Sequence, residues 1–327
     1  HVWTDTVQRQ DFQLAALPTG TLAVQVWISG STQVPTLPLR ARLLATPLSV
    51  TVDSLGRFEL SAPEGVYTIE LRGNGYRLVT TTVSITPAET TYLTMEVEPA
   101  PQLLLVDEGP AYFASEIGPW QASLDALRYG YDLYKVKVGR ALISRTLLAY
   151  DVVLWSSPYG SPGYVAGSAA LEGYLKEGGR LLLSGHDVAR YDGGGVPFAP
   201  GSRAYLYDLM GVAYQSEASQ DEVLGEGPYA GLRAVIQAGH RIAPDTIGTR
   251  GPNRPAAIWR YGDGSMAGAA TSICVPFRSL FFGFGYESIP SENERLAVME
   301  RSLQWLMRAP LTAGLAADRE KNPGHER

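Results

Sequence analysis

The sequence predicts two domains: an antiparallel β-sandwich over residues 18–99, then a doubly wound α/β domain with a mostly parallel sheet over residues 102–308. Three observations predict this. Residues 20–98 hold short alternating stretches of branched and aromatic residues, separated by Gly, Pro and Asn turns, the pattern of half-buried antiparallel strands. From Leu103 onward the strands become continuous apolar runs, Leu103-Leu-Leu-Val106 and Val152-Val-Leu-Trp155, as a sheet covered on both faces requires. Segments of helical period separate those runs, and strand–helix alternation builds a parallel sheet.

Thr21 to Ile28 alternates and ends at Gly30. Leu39 to Leu44 and Leu48 to Val52 follow. Asp53-Ser-Leu-Gly56 is a turn feeding a strand through Leu60, and Pro63-Glu64-Gly65 is the next turn. Val66 to Leu71, Val79 to Ile85 and Tyr92 to Val97 complete the sandwich. Residues 1–17 read either as the last strand of a preceding unit or as an extra edge strand. Pro99-Ala-Pro101 is a stiff linker. In the second half, strands are expected at 103–106, 131–136, 152–155, 180–183, 256–260, 266–271 and 280–284. Helices are expected at 120–127, 169–176 and 292–307, with a helix or turn at 142–148. Residues 309–327 form a polar tail.

The chain has 327 residues, 45% hydrophobic and 18% charged, with a formal net charge of −6. That length allows two real cores. Nucleic acid is not an expected partner, because no Lys/Arg-rich run exists. No apolar run is long enough for a membrane span. Cys274 is the single cysteine, which excludes a disulfide within the chain and a cysteine-rich zinc site; it reads as a buried small hydrophobe. The chain opens at His1 without a charged and then apolar leader, and reads as a piece of a longer exported precursor.

Residues 51–77, TVDSLGRFELSAPEGVYTIELRGNGYR, resemble the carboxypeptidase regulatory-like (transthyretin-like) repeat over about residues 20–98. That resemblance implies a non-catalytic spacer or binding module of an exported protein. The segments LLLVDEG, YDVVLWSSP, LEGYLKEGGRLLLSGHDV and LFFGFGYESI resemble the class I glutamine-amidotransferase-like superfamily, nearest its ThuA-like branch, which implies a flavodoxin-like sheet. The order of the two halves is similar to the C-terminal region of secreted subtilisin-like (S8) or M6-like peptidases. The departures are definite. Ser184-Gly-His-Asp187 stands where an amidotransferase carries its cysteine, and no His-x-Glu follows. A subtilisin triad is also absent. Glutamine hydrolysis is therefore not expected.

Ligands of parallel sheets bind beyond the carboxyl ends of the strands. That rule gathers Asp107 and Glu108, Ser156 and Ser157, Ser184, His186 and Asp187, and Tyr286 and Glu287. One reading makes Ser184 a nucleophile, His186 its base, and Glu287 or Asp107 the orienting acid. Another places a divalent cation or a sugar at His186 with Asp107, Glu108 or Asp187. The plain reading has Asp107 and Asp187 capping turns and His186 bonded locally. His240 reads as a loop residue. Phe281-Phe-Gly-Phe-Gly-Tyr286 reads as a core strand, its glycines marking close backbone approach. Asp192-Gly-Gly-Gly195 reads as a flexible loop over the cleft, without the Lys-Ser/Thr of a phosphate loop.

The expected function is a non-catalytic accessory or binding region of an exported multidomain protein, with a subtilisin-like peptidase as the parent. The alternatives are a degenerate hydrolase or metal- or carbohydrate-binding domain, and a structural cell-surface or filament-forming protein. Expected partners are other domains of the parent chain, surface proteins, or copies of itself through the sandwich edges. No cofactor is expected beyond the possible cation.

Overall fold

The computed structural model describes residues 16–112, 114–137, 142–158, 163–194, 204–236 and 244–308. The readings of residues 1–15, Gly195, His240 and the tail lie outside these. Two compact units divide the chain. Residues 79–98 join the segment ending at Arg72, and residues 73–78 cluster with the second unit from Pro99 onward.

The first unit contains β1 (Thr19–Ile28), β2 (Arg40–Leu43), β3 (Ser49–Thr51), β4 (Arg57–Pro63), β5 (Gly65–Arg72), β6 (Val79–Ile85) and β7 (Thr90–Val97). They form two sheets, ordered β4-β1-β7 and β3-β2-β5-β6. Alternation buries Leu22, Val24, Val26, Phe58, Leu60, Met95 and Val97 from one sheet and Ala41, Leu43, Ile69, Leu71, Val83 and Ile85 from the other. Each fully buried large side chain of this kind contributes roughly 1.5–3 kcal/mol. The turn before β4 has a local cause. Asp53 Oδ1 accepts the N–H groups of Leu55 at 2.9 Å and Arg57 at 2.7 Å. Gly56 takes φ +73°, and a Cβ there would lie 2.6 Å from the Val26 carbonyl oxygen.

The sandwich departs from the expected antiparallel rule in one ladder. β1 pairs with β7 in parallel, from Thr21 with Thr90 to Ile28 with Val97. The β6–β7 link changes sheets instead of closing a hairpin, so the last strand lies beside the first.

The second unit contains β8 (Leu103–Asp107), α1 (Gly118–Ala126), β9 (Asp132–Lys135), α2 (Ser144–Leu147), β10 (Val152–Ser157), α3 (Ser168–Lys176), β11 (Arg180–Gly185), α4 (Ala204–Met210), β12 (Val212–Glu217), β13 (Glu222–Gly225), β14 (Arg233–Val235), β15 (Asp245–Thr249), β16 (Ala256–Tyr261), β17 (Met266–Thr271), β18 (Arg278–Phe282) and α5 (Glu292–Leu306). One sheet runs β14-β13-β16-β17-β18-β11-β10-β8-β9, with β15 and β12 attached through β17.

Five strands, β9-β8-β10-β11-β18, are parallel. The ladders among β12 to β18 are antiparallel. The expectation of a mostly parallel sheet is thus corrected: a parallel half is extended by an antiparallel half of similar size. The extension strands are short and contain Gly, Ser and Gln, so their hydrophobic period is weak.

The parallel half is covered on both faces. Leu103, Leu105, Leu154, Leu182, Leu280 and Phe282 pack with Trp120 and Leu124 of α1 and Val298, Met299 and Leu303 of α5. Leu104, Val106, Val153, Trp155, Leu183 and Phe281 pack with Leu147 of α2, Leu171 and Tyr174 of α3 and Tyr207 of α4. Alternate residues of the same strands thus feed two cores, which is why the strands read as unbroken apolar runs. Ser291 caps α5 by accepting the Glu294 N–H, and Gly178 at φ +90° follows α3.

Candidate functional site

Alternation also divides the polar residues at the carboxyl ends of the strands. Asp107, Ser156 and Ser184 continue the face carrying α1 and α5, and Glu108 and Ser157 continue the face carrying α2 to α4. The residues predicted to form one site therefore belong to two polar clusters.

On the first face, Asp107 accepts the Gly109 N–H at 3.2 Å and the Ser115 hydroxyl at 2.6 Å. It caps the following turn, as the plain reading has it. The Ser184 hydroxyl donates to the Phe284 carbonyl at 2.8 Å and accepts the Tyr286 N–H at 2.8 Å. Its proton is thereby committed to the backbone. His186 Nε2 lies 3.0 Å from Ser288 Oγ, and burial pushes its imidazole down to about 4. A base with that value is far from matched to neutral pH. Glu287 accepts the Trp120 indole N–H at 3.4 Å. Tyr286 packs its ring 4.6 Å from that of Trp120, with its Oη 2.7 Å from the Arg295 carbonyl oxygen and 2.6 Å from Ser123 Oγ. The Ser184 hydroxyl is thus bonded to Phe284 and Tyr286, where the nucleophile reading sets it against His186. The Ser288 partner of His186 lies 102 residues away in the chain.

On the second face, Glu108 is fully buried. It accepts the Trp155 indole N–H at 3.0 Å and the Ala166 N–H, with a further bond from Ser157. Burial outweighs these bonds and pushes its carboxyl up to about 7. The Asp192 carboxylate adds to that push. Asp192 accepts the hydroxyls of Ser168 at 2.5 Å and Tyr207 at 2.8 Å. This aspartate is thus an anchor in the core, not part of a free loop. Asp245 is also fully buried, accepts the Ala189 N–H at 3.0 Å, and is pushed well above the usual carboxylate range by burial.

Asp187 holds a left-handed backbone conformation, φ +57°, two residues after the end of β11. Burial pushes its carboxyl up while Arg190, at 3.4 Å, pulls it down. Arg190 also pairs with Glu217. The segment Gly185-His-Asp187-Val-Ala189 places small residues two before and two after the left-handed position. A Cβ on Gly185 would lie 2.2 Å from the Ser157 carbonyl oxygen, so glycine is required there. A strained residue on a sharp turn at the end of a parallel strand, flanked by small residues, is the backbone form of a nucleophile elbow. Here its side chain is a carboxylate.

Asp192, Arg190, Tyr207 and Asp245 were not among the predicted site residues. Only Arg190, three residues beyond Asp187, carried a local signal. Among the described residues, no group of three or more His, Cys, Asp or Glu side chains is placed to hold a metal ion. Of the two glycines in the aromatic run, Gly283 marks close backbone approach, since a Cβ there would lie 2.6 Å from the Asp245 carbonyl oxygen, whereas one on Gly285 would meet the Glu287 side chain. Cys274 is exposed at φ +59°, which corrects its reading as a buried hydrophobe. Among the described residues, no helix is long and apolar enough to cross a membrane.

No family model and no curated protein matches the chain. Solved structures similar to parts of it include the TIE protein of Bacillus anthracis, at 18% identity over 29% of this chain and 20% of that one, with a TM-score of 0.23. A minor pilin of Streptococcus agalactiae is similar at 20% identity over 26% of this chain and 46% of that one, with a TM-score of 0.22. A carbohydrate acetylesterase from Xanthomonas citri is similar at 8% identity over 73% of this chain and 88% of that one, with a TM-score of 0.21. The chain thus spans a fifth and under half of the first two. Superpositions this loose establish neither fold nor function for this chain.

Proposed function

We propose that this chain is a non-catalytic binding region of an exported multidomain protein, with the sandwich as docking module and the α/β unit as an assembly domain. The observation that carries this reading is the commitment of the Ser184 hydroxyl to the Phe284 carbonyl and the Tyr286 N–H. Tyr286, His186 and Glu287 are likewise bonded within the chain, to Ser123 and Arg295, to Ser288 and to Trp120. Such a cluster holds a turn together; it does not present a reacting atom. Export and a peptidase parent rest on the sequence resemblance. The test is incubation of the intact chain with a fluorophosphonate probe and with ester, acetylated-sugar and peptide substrates, with and without Zn2+, Mn2+ or Ca2+. No covalent adduct and background turnover are expected. Turnover that Ser184→Ala abolishes would overturn the proposal.

One observation favours a second reading, a hydrolase with Asp187 as nucleophile: the left-handed elbow between Gly185 and Ala189. In that reading an Asp187 carboxylate oxygen forms a bond to a substrate carbon as that carbon's bond to an anionic leaving group breaks, and water then hydrolyses the resulting ester, returning the carboxylate and releasing the second product. Turnover lost in Asp187→Asn and kept in Ser184→Ala would establish it in place of the first.

A further inference from the structure

We propose that β6 is a pairing edge through which two copies of this chain associate, each β6 meeting the other antiparallel about a two-fold axis at Thr82. Self-pairing of this kind rests on the sandwich acting as a docking module, and names its partner. The edge strands of the two sandwich sheets are β3, β4, β6 and β7. An open edge presents a row of unpaired N–H and C=O groups, and proteins guard such rows with short strands, charged side chains or proline. β3 has 3 residues. β4 carries Arg57 and Glu59 and ends in Pro63. β7 carries Glu96. β6, Val79-Thr-Thr-Thr-Val-Ser-Ile85, has none of these devices.

The register settles which groups of β6 point outward. The Thr68 carbonyl accepts the Leu44 N–H at 2.9 Å, so Thr68 turns its backbone toward β2. Thr82 lies opposite Thr68 in the β5–β6 ladder. Opposed residues of an antiparallel pair alternate between exchanging both bonds and exchanging none, so Thr82 turns its own N–H and C=O away from β5. Thr80 and Ser84 follow at a period of two. The Ser84 carbonyl has the same phase, since it accepts the hydroxyl of Thr91, a β7 residue in the other sheet, at 3.1 Å. Among the described residues, the N–H and C=O groups of Thr80 and Thr82 make no hydrogen bond, and the side chains of Thr80, Thr82 and Ser84 are exposed.

This edge is complementary to itself. With Thr82 facing Thr82 of the second copy, Thr80 faces Ser84 and Ser84 faces Thr80, so every outward N–H meets an outward C=O. The exposed hydroxyls then meet as Thr–Thr and Thr–Ser pairs, which favour cross-strand pairing. The same register sets Thr81 against Val83, so the core-facing rows of the two copies continue one another. A shift by one residue would set outward groups against groups already bonded to β5. A two-fold contact closes on itself, so the product is a dimer and not a filament. Edge pairing alone is a small interface, so the association is weak and depends on concentration.

The test is sedimentation velocity of the intact chain from micromolar to millimolar concentration, under reducing conditions that keep the exposed Cys274 from bridging copies. The expected result is a monomer–dimer equilibrium with no larger species. Thr82→Lys and Thr82→Glu each set like charges across the axis, and each is expected to dimerise about tenfold more weakly with an unchanged far-UV circular dichroism spectrum. Mixed in equal amounts, the two variants are expected to recover the dimer, because position 82 faces itself only in this register. Thr94→Lys, exposed on β7, is expected to dimerise like the unsubstituted chain. A chain that stays monomeric to millimolar concentration, a mixture that fails to recover the dimer, or a Thr94→Lys chain as impaired as Thr82→Lys would overturn the proposal. Hydrolytic turnover would overturn the non-catalytic reading and leave each of these sedimentation results unchanged.

Discussion

Ser184 Oγ accepts the backbone N–H of Tyr286 at 2.8 Å, across 102 residues of chain. The bond ties the end of β11 to the turn after β18. Ser184→Ala would leave that N–H and the Phe284 carbonyl without this partner in a buried setting. A loss of about 1–3 kcal/mol is expected, read as a lower urea midpoint with an unchanged slope.

Glu108 and His186 give opposite pH signatures. The Glu108 carboxyl sits near 7 in the fold against an ordinary 4.5. Between those values the unfolded chain releases a proton that the folded chain keeps, so its contribution is full below about pH 4.5 and falls as pH rises to 7. The size is on the order of 3 kcal/mol, and Glu108→Gln should remove that slope. The His186 imidazole sits near 4 against an ordinary 6.5. Its contribution is full above about pH 6.5 and is lost as pH falls to 4, so a His186→Gln chain should tolerate acid better. Urea titrations across pH 4–8 on both variants check the two signs.

Asp187 is held at φ +57°, where a residue with a Cβ costs roughly 1–2 kcal/mol. Asp187→Gly removes that cost and a buried carboxyl together. A rise in stability of about 1 kcal/mol is expected by chemical denaturation. A fall would show that the Arg190 ion pair outweighs the backbone strain.

Cys274 should titrate fully with a thiol reagent in the native state, without denaturant, because its side chain is exposed. Protection until unfolding would contradict that exposure.

The strands and long helices were legible because each carries its own period. Leu103-Leu-Leu-Val106 and Val152-Val-Leu-Trp155 are apolar on both faces, and both faces are covered. β12 to β15 were not legible, since Gly248, Ser216 and Gln215 interrupt their alternation and their pairing is settled only by neighbours. The parallel β1–β7 ladder was hidden for another reason: strand direction is a property of the connection, not of the strand. At the site, the positional rule for parallel sheets gathered residues that do lie at the strand ends. It could not divide Asp107 from Glu108 by face, nor show that Ser184 is held by Phe284 and Tyr286. Asp192 and Asp245 gave no local signal, because their partners Tyr207 and Ala189 come from separate elements.

The parallel pairing of β1 with β7 has a mechanical meaning. Thr21 pairs with Thr90 and Ile28 with Val97, so the chain enters the ladder at one end and leaves it at the other. Tension along the chain therefore loads those inter-strand hydrogen bonds together, in shear. A hairpin pulled from its open end would instead unzip one bond at a time. A module with its first and last strands clamped this way can transmit a pulling force between its neighbours while keeping its fold.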